Sequence, residues 1–144
     1  MKNRKAFTMI ELIVVIIIIG VILVFAIPNI VATLERNKKE AMAISAKNFI
    51  EMTRDCIVEK RKLATKTCAY PNTSATYYLK EIDINKQIKE STTGDQYDRD
   101  NSTVTVTKTT DASGSTVYDY EAILRLKDSS ETCTMHYGDD KCSS

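Results

Sequence analysis

The carboxylate of Glu11 is the group in this sequence whose position most needs a chemical explanation. It is the only charged residue in an apolar run that extends from Phe7 to Ile27. An ionised carboxylate is costly to keep in apolar surroundings unless a partner satisfies it. The sequence therefore predicts that Glu11 has a partner, and that this partner is a cation.

One group of residues contains the ligand types that zinc uses. His136 lies between Cys133 and Cys142, so these three side chains offer zinc ligands. Their spacing matches no tight zinc motif, and a disulfide would use both thiols. We therefore interpret His136 as a surface residue.

A second group offers the oxygen ligands that calcium prefers. Its members are Asp95, Asp98, Asp100 and Asn101. The spacing is not that of an EF-hand, and turn residues explain the cluster equally well. We therefore expect no metal ion and no cofactor.

Other chemistry has little support in the sequence. The chain has a single histidine, no Gly-rich phosphate loop and no nucleophile motif, so no catalytic centre and no enzyme activity are predicted. The net charge of +1 gives no general reason to expect nucleic acid. The cations Lys60, Arg61 and Lys62 could contact phosphates, although capping and solvation of a helix end explain them as well; nucleic-acid contact stays open.

The apolar run is long enough to span a membrane. It has 21 residues, and as a helix it would be about 32 Å long. Basic residues precede the run, which predicts a cytoplasmic N-terminus and residues 29–144 outside. A cleaved secretory signal ending near Ala26 and a plain anchor are two interpretations, but neither gives Glu11 a role.

The residues around Glu11 resemble a known family. Lys5-Ala6-Phe7-Thr8-Met9-Ile10-Glu11-Leu12 resembles the class III leader and cleavage motif of type IV pilins and pseudopilins. The resemblance is close over about the first 30 residues. It implies that a membrane peptidase cuts between Ala6 and Phe7 and methylates the new α-amine of Phe7. The family usually has Gly before the cut, where this chain has Ala6, and we expect the small side chain to be tolerated.

Cleavage would supply the missing cation, because it creates an α-ammonium on Phe7. Residues four apart lie on one helix face, so Glu11 could pair within its own chain. The resemblance favours the Phe7 amine of a neighbouring copy and assigns Glu11 and Thr8 to assembly. A buried ion pair of this kind sets register. The resemblance also places Gly20 and Pro28 where the family helix is flexible, and Pro28 should kink or weaken it.

Four cysteines follow the apolar run, on the predicted outer side: Cys56, Cys68, Cys133 and Cys142. An even number there favours disulfides, and four cysteines allow three pairings. Local pairing of Cys56 with Cys68 and of Cys133 with Cys142 is our first prediction. The second pair would resemble the C-terminal disulfide loop of many pilins. Other pairings and reduced thiols are the alternatives.

The elements that must position these residues follow from periodicity. Apolar residues at helical spacing, with no Gly or Pro between Pro28 and Pro71, predict one helix from near Phe7 to about Leu63. The segment 77–90 fits a short helix or a strand equally well. Alternating patterns at 103–109, 116–127 and 131–137 predict an antiparallel meander.

The predicted fold class is α+β, the pilin fold, with a long N-terminal helix packed on a small antiparallel sheet. The helix has a transmembrane half and an amphipathic half. The predicted segments are a leader 1–6, a transmembrane assembly helix 7–28, an amphipathic half 29–63 and a head 64–144. Within the head we expect a connecting region 64–101, a meander 102–137 and a tail 138–144.

The resemblance implies a structural subunit of a type IV pilus, a homo-oligomeric filament. Its implied partners are a prepilin peptidase, a platform protein and an assembly ATPase. The chain would lie in the cytoplasmic membrane before assembly and on the cell surface afterwards. The alternatives are a pseudopilin of a secretion or DNA-uptake system and, from another class, a secreted binding domain or enzyme.

Overall fold

The computed structural model describes residues 8–89, 94 and 96–143, apart from the side chains at positions 28 and 29. Its elements in chain order are α1 (Met9–Val58), β1 (Ser74–Tyr78), α2 (Leu79–Ile82), β2 (Thr103–Thr110), β3 (Thr116–Arg125) and β4 (Thr132–His136). The predicted fold class is confirmed: a long N-terminal helix packs on an antiparallel sheet in an α+β arrangement consistent with the pilin fold. Helix α1 ends a few residues before the predicted Leu63.

The chain divides into two compact units, one up to Arg36 and one from Asn37 onward. In the first unit the described residues of α1 are almost entirely apolar, and large side chains such as Ile16 and Ile22 are exposed. Among the described residues α1 is the one helix that is long and apolar enough to cross a membrane. Its helical backbone continues through positions 20 and 28, and the kink expected at Pro28 stays a prediction.

The second unit is organised around a core between α1 and one face of the sheet. The largest fully buried side chains of α1 are Phe49, Ile50 and Ile57, and Cys56 of the same helix is also buried. The sheet contributes alternate residues of each strand, which is the pattern of a sheet with one buried face: Tyr77, Val104, Val106, Ala122, Leu124, Cys133 and Met135.

The sheet has the order β1-β2-β3-β4, and all neighbouring strands are antiparallel. The three strands of the predicted meander are β2, β3 and β4. Strand β1 is additional, and it lies within the predicted connecting region 64–101. The segment 77–90 fitted a helix or a strand, and it contains both: β1 ends at Tyr78, where the Glu81 carboxylate accepts the Tyr78 N–H at 3.4 Å and α2 begins.

A buried carboxylate fastens the connection after α2. Asp83 is fully buried and accepts the N–H groups of Gln87 at 2.6 Å and Ile88 at 3.0 Å. The Arg99 guanidinium donates to its Oδ2 from both terminal nitrogens, each at 3.2 Å. Asp83 therefore joins the loop after α2 to the segment that leads into β2.

We expect Asp83→Asn to lower the free energy of unfolding by about 2 kcal/mol or more, because it turns a hydrogen-bond acceptor into a partial donor and leaves Arg99 without its counter-ion. Thermal unfolding of the full chain in detergent, followed by tyrosine near-UV circular dichroism, measures this. Asp100→Asn is the control, because Asp100 pairs with Lys80 at 2.8 Å on the surface. Equal stability of the two variants would contradict the role given to Asp83.

Candidate functional site

Helix α1 begins with reciprocal hydrogen bonds between Thr8 and Glu11. The backbone N–H and the hydroxyl of Thr8 both donate to Oε2 of Glu11 at 2.9 Å. The Glu11 N–H lies 3.4 Å from the Thr8 hydroxyl oxygen, which accepts it. This is a capping box, in which Thr8 is the N-cap and Glu11 closes the first turn.

The capping box satisfies two needs at once. The first N–H groups of a helix have no partner within the helix, and the start of a helix favours a negative charge. Glu11 provides both an acceptor and that charge. The Thr-x-x-Glu spacing ahead of an apolar run signals such a pair in the sequence, although the partner predicted there for Glu11 was a cation. The cation stays a prediction.

The other residues predicted for processing and flexibility are distributed around this pair. Ala6 and Phe7, the predicted cleavage and methylation positions, lie outside the described residues, as does the side chain of Pro28. Gly20 lies within α1, and an added Cβ would meet nothing within 4 Å. Packing within the single chain therefore does not require glycine at position 20.

The four cysteines form two disulfides between local partners, the pairing predicted first. Cys56 is bonded to Cys68 with a Cα–Cα distance of 5.6 Å, and Cys133 to Cys142 with one of 5.0 Å. Both thiols of the zinc alternative are therefore used. His136 instead places Nδ1 3.1 Å from the Asp119 carboxylate.

The oxygen ligands considered for calcium are engaged in internal bonds where they are described. Asp98 accepts the Asn101 side-chain amide at 2.7 Å, which is the main cause of a pKa below the usual range for an aspartate. Backbone N–H groups of Asn101 and Asp100 add to this effect. Asp100 pairs with Lys80, and Asp95 lies outside the described residues.

The basic residues after α1 take part in ending the helix. Lys60 donates its N–H to Ile57 O at 3.2 Å, and Arg61 donates to Cys56 O at 3.0 Å. These two bonds form a Schellman motif, with Lys60 at φ 51° in the left-handed position that usually holds glycine. The Arg61 side chain also pairs with Glu59 at 3.1 Å.

The fold and the capped glutamate thus define a long-helix protein with a small α+β head and an N-terminal apolar segment. Comparison with known families then specifies the segment. Residues 1–27 match the family model of the prokaryotic N-terminal methylation motif, so the chain carries the class III signal peptide of type IV pilins. The motif implies processing by prepilin peptidase and assembly into a pilus-type system. No curated protein and no solved structure matches the chain.

Replacing Thr8 with Ala should loosen the first turn of α1, because the hydroxyl that donates to Glu11 and accepts its N–H is lost. Thr8→Ser should retain both bonds. Amide exchange of residues 9–12 in the full chain, held in detergent, measures the difference. Faster exchange in Thr8→Ala and wild-type exchange in Thr8→Ser is the expected result, and equal exchange in the two variants would refute the capping role.

Proposed function

We propose that this chain is the structural subunit of a type IV pilus and polymerises through the N-terminal part of α1. The main support is the methylation motif at residues 1–27, which includes the start of a capped, apolar helix. The exposed apolar side chains of residues 9–27 and 30–34 need to be covered by a bilayer or by other helices. A helix of this kind suits a subunit that lies first in the membrane and then in the centre of a filament.

In the proposed mechanism, cleavage between Ala6 and Phe7 creates the ammonium group that pairs with Glu11 of a neighbouring copy. The two hydrogen bonds from Thr8 both end on Oε2 of Glu11, so Oε1 is the oxygen to which the ammonium would donate. Thr8 then acts as a positioning residue. It holds the carboxylate at the start of the helix before the neighbour arrives.

The proposed partners follow from this mechanism. A prepilin peptidase cleaves the leader and methylates Phe7, while a platform protein and an ATPase move the subunit from the cytoplasmic membrane into the filament on the cell surface. A pilus subunit is our choice over a secretion pseudopilin, since the described Asp98 and Asp100 bond to Asn101 and Lys80 as turn residues do.

The mature protein should begin at Phe7 with a methylated amine. Intact mass and N-terminal sequencing of the protein purified from membranes check this, and a sample without reductant also counts the two disulfides. A chain that begins after Ala26 would instead support the secreted domain and would reject the filament subunit.

Glu11→Ala should be processed and inserted normally but should fail to form filaments, because the ammonium of a neighbour then lacks its counter-ion. Electron microscopy of sheared surface fractions measures assembly, and mass spectrometry measures processing. Glu35→Ala is a matched control, since Glu35 is an exposed acidic residue of the same helix. Normal filaments from Glu11→Ala would disprove the register role of this carboxylate.

A further inference from the structure

The two edge strands of the sheet are β1 and β4. An edge strand presents unpaired N–H and C=O groups that can pair with a strand of another chain. In an antiparallel strand every second residue directs these groups away from its neighbour. In β1 these are residues 74, 76 and 78, because Thr73 O accepts the Lys108 N–H from β2.

The outer edge of β4 is covered by the segment 139–143. Thr134 donates its N–H to Ser143 O at 3.3 Å and accepts the Ser143 N–H at 2.8 Å. His136 donates its N–H to the Asp139 carboxylate at 2.9 Å and accepts the Asp139 N–H at 3.1 Å. Both outward-facing residues in the second half of β4 are therefore occupied by the chain itself.

The outer edge of β1 is covered by side chains. The Lys66 ammonium donates to Thr76 O, and Glu81 accepts the Tyr78 N–H at 3.4 Å. Lys66 and Glu81 lie 3.8 Å apart as an ion pair, and the Thr65 hydroxyl donates to Glu81 at 2.7 Å. Lysine at an edge is a known means of blocking strand addition.

Each disulfide fastens one of these two covers. The bond from Cys133 to Cys142 joins β4 itself to the residue next to Ser143. The bond from Cys56 to Cys68 closes the loop that carries Thr65 and Lys66. The bonded cysteines are 9 and 12 positions apart in sequence, and a bond that closes a short loop stabilises less through chain entropy than one that closes a long loop. Both bonds thus lie where they fasten the covers of the two edge strands.

We propose that the two disulfides are edge locks, which keep β1 and β4 from pairing with the same edge of a second copy of this chain. Without the disulfide, the β4 strands of two copies can pair antiparallel across a two-fold axis. Each strand then provides the hydrogen-bond partners that Ser143 and Asp139 provide in the wild type. The proposal is independent of the proposed filament, because its test needs no filament.

The test compares the wild type with a Cys133→Ala/Cys142→Ala variant, both as full chains in the same detergent. Sedimentation over a wide range of protein concentration measures mass, and hydrogen exchange measures the Thr134 amide. The wild type should keep one mass and a protected Thr134 amide throughout. The variant should lose this protection when dilute, then double in mass and regain protection when concentrated.

A variant that stays at the wild-type mass at every concentration while its Thr134 amide exchanges freely would overturn the proposal. A variant whose Thr134 amide stays protected at low protein concentration would also overturn the proposal, because the segment 139–143 would then cover β4 without the disulfide. Because both proteins share α1, association through the apolar helix affects them equally and cannot produce the difference.

If the cysteine variant fails to fold, two variants that keep both disulfides but open the covers of β4 and β1 test the proposal. Ser143→Pro keeps the disulfide but removes the N–H that Thr134 accepts, whereas Ser143→Ala keeps it. Lys66→Met removes the donor to Thr76 but keeps the aliphatic stem, and Lys62→Met is its control on the same loop. Self-association is expected in Ser143→Pro and Lys66→Met and not in their controls; identical behaviour within both pairs would reject the locks.

Discussion

The head depends on the burial of one face of α1 against one face of the sheet. Phe49 and Ile50 from the helix and Val104 and Leu124 from the sheet are almost fully excluded from solvent, and burial of such side chains is the main driving force for folding. The polar groups carried into this layer are satisfied locally. Thr53 donates to Phe49 O at 2.8 Å, and no buried side-chain polar atom of the described residues lacks a partner.

The same layer also fixes the position of Tyr97, in the last part of the connecting region. Tyr97 forms a bridge with Leu126, and its hydroxyl donates to the Ser45 hydroxyl of α1 at 3.1 Å. Burial raises the pKa of Tyr97 and outweighs the opposing effect of the Ser45 hydrogen bond. Together with Asp83, this contact gives a polar stretch of sequence a defined position against an apolar core.

Regular periodicity made the main elements predictable, because the part of α1 in the second unit and the strands β2 to β4 each bury one face and expose the other. Strand β1 escaped prediction because Tyr77 is its only fully buried residue, so pairing with β2 defines it more than hydrophobicity does. Asp83 escaped for another reason: its partner Arg99 is distant in sequence, and composition cannot show such a pair. The Thr8–Glu11 capping box has a recognisable sequence spacing, but the apolar residues around Glu11 led to the prediction of a cation as its partner.

The two units of the chain differ in how much apolar surface and how much unneutralised charge their described residues leave exposed. In the head, the core is buried, the buried side-chain polar atoms of the described residues have partners, and both sheet edges carry covers. In the first unit, Glu11 is satisfied by Thr8 through hydrogen bonds, yet its charge is not neutralised by them, and the apolar residues around it are exposed. Hydrogen bonds hold the carboxylate in place, whereas only a cation cancels its charge. In the proposed filament, the charge of Glu11 and the exposed apolar side chains of α1 before Arg36 are the features that would bind a neighbouring copy.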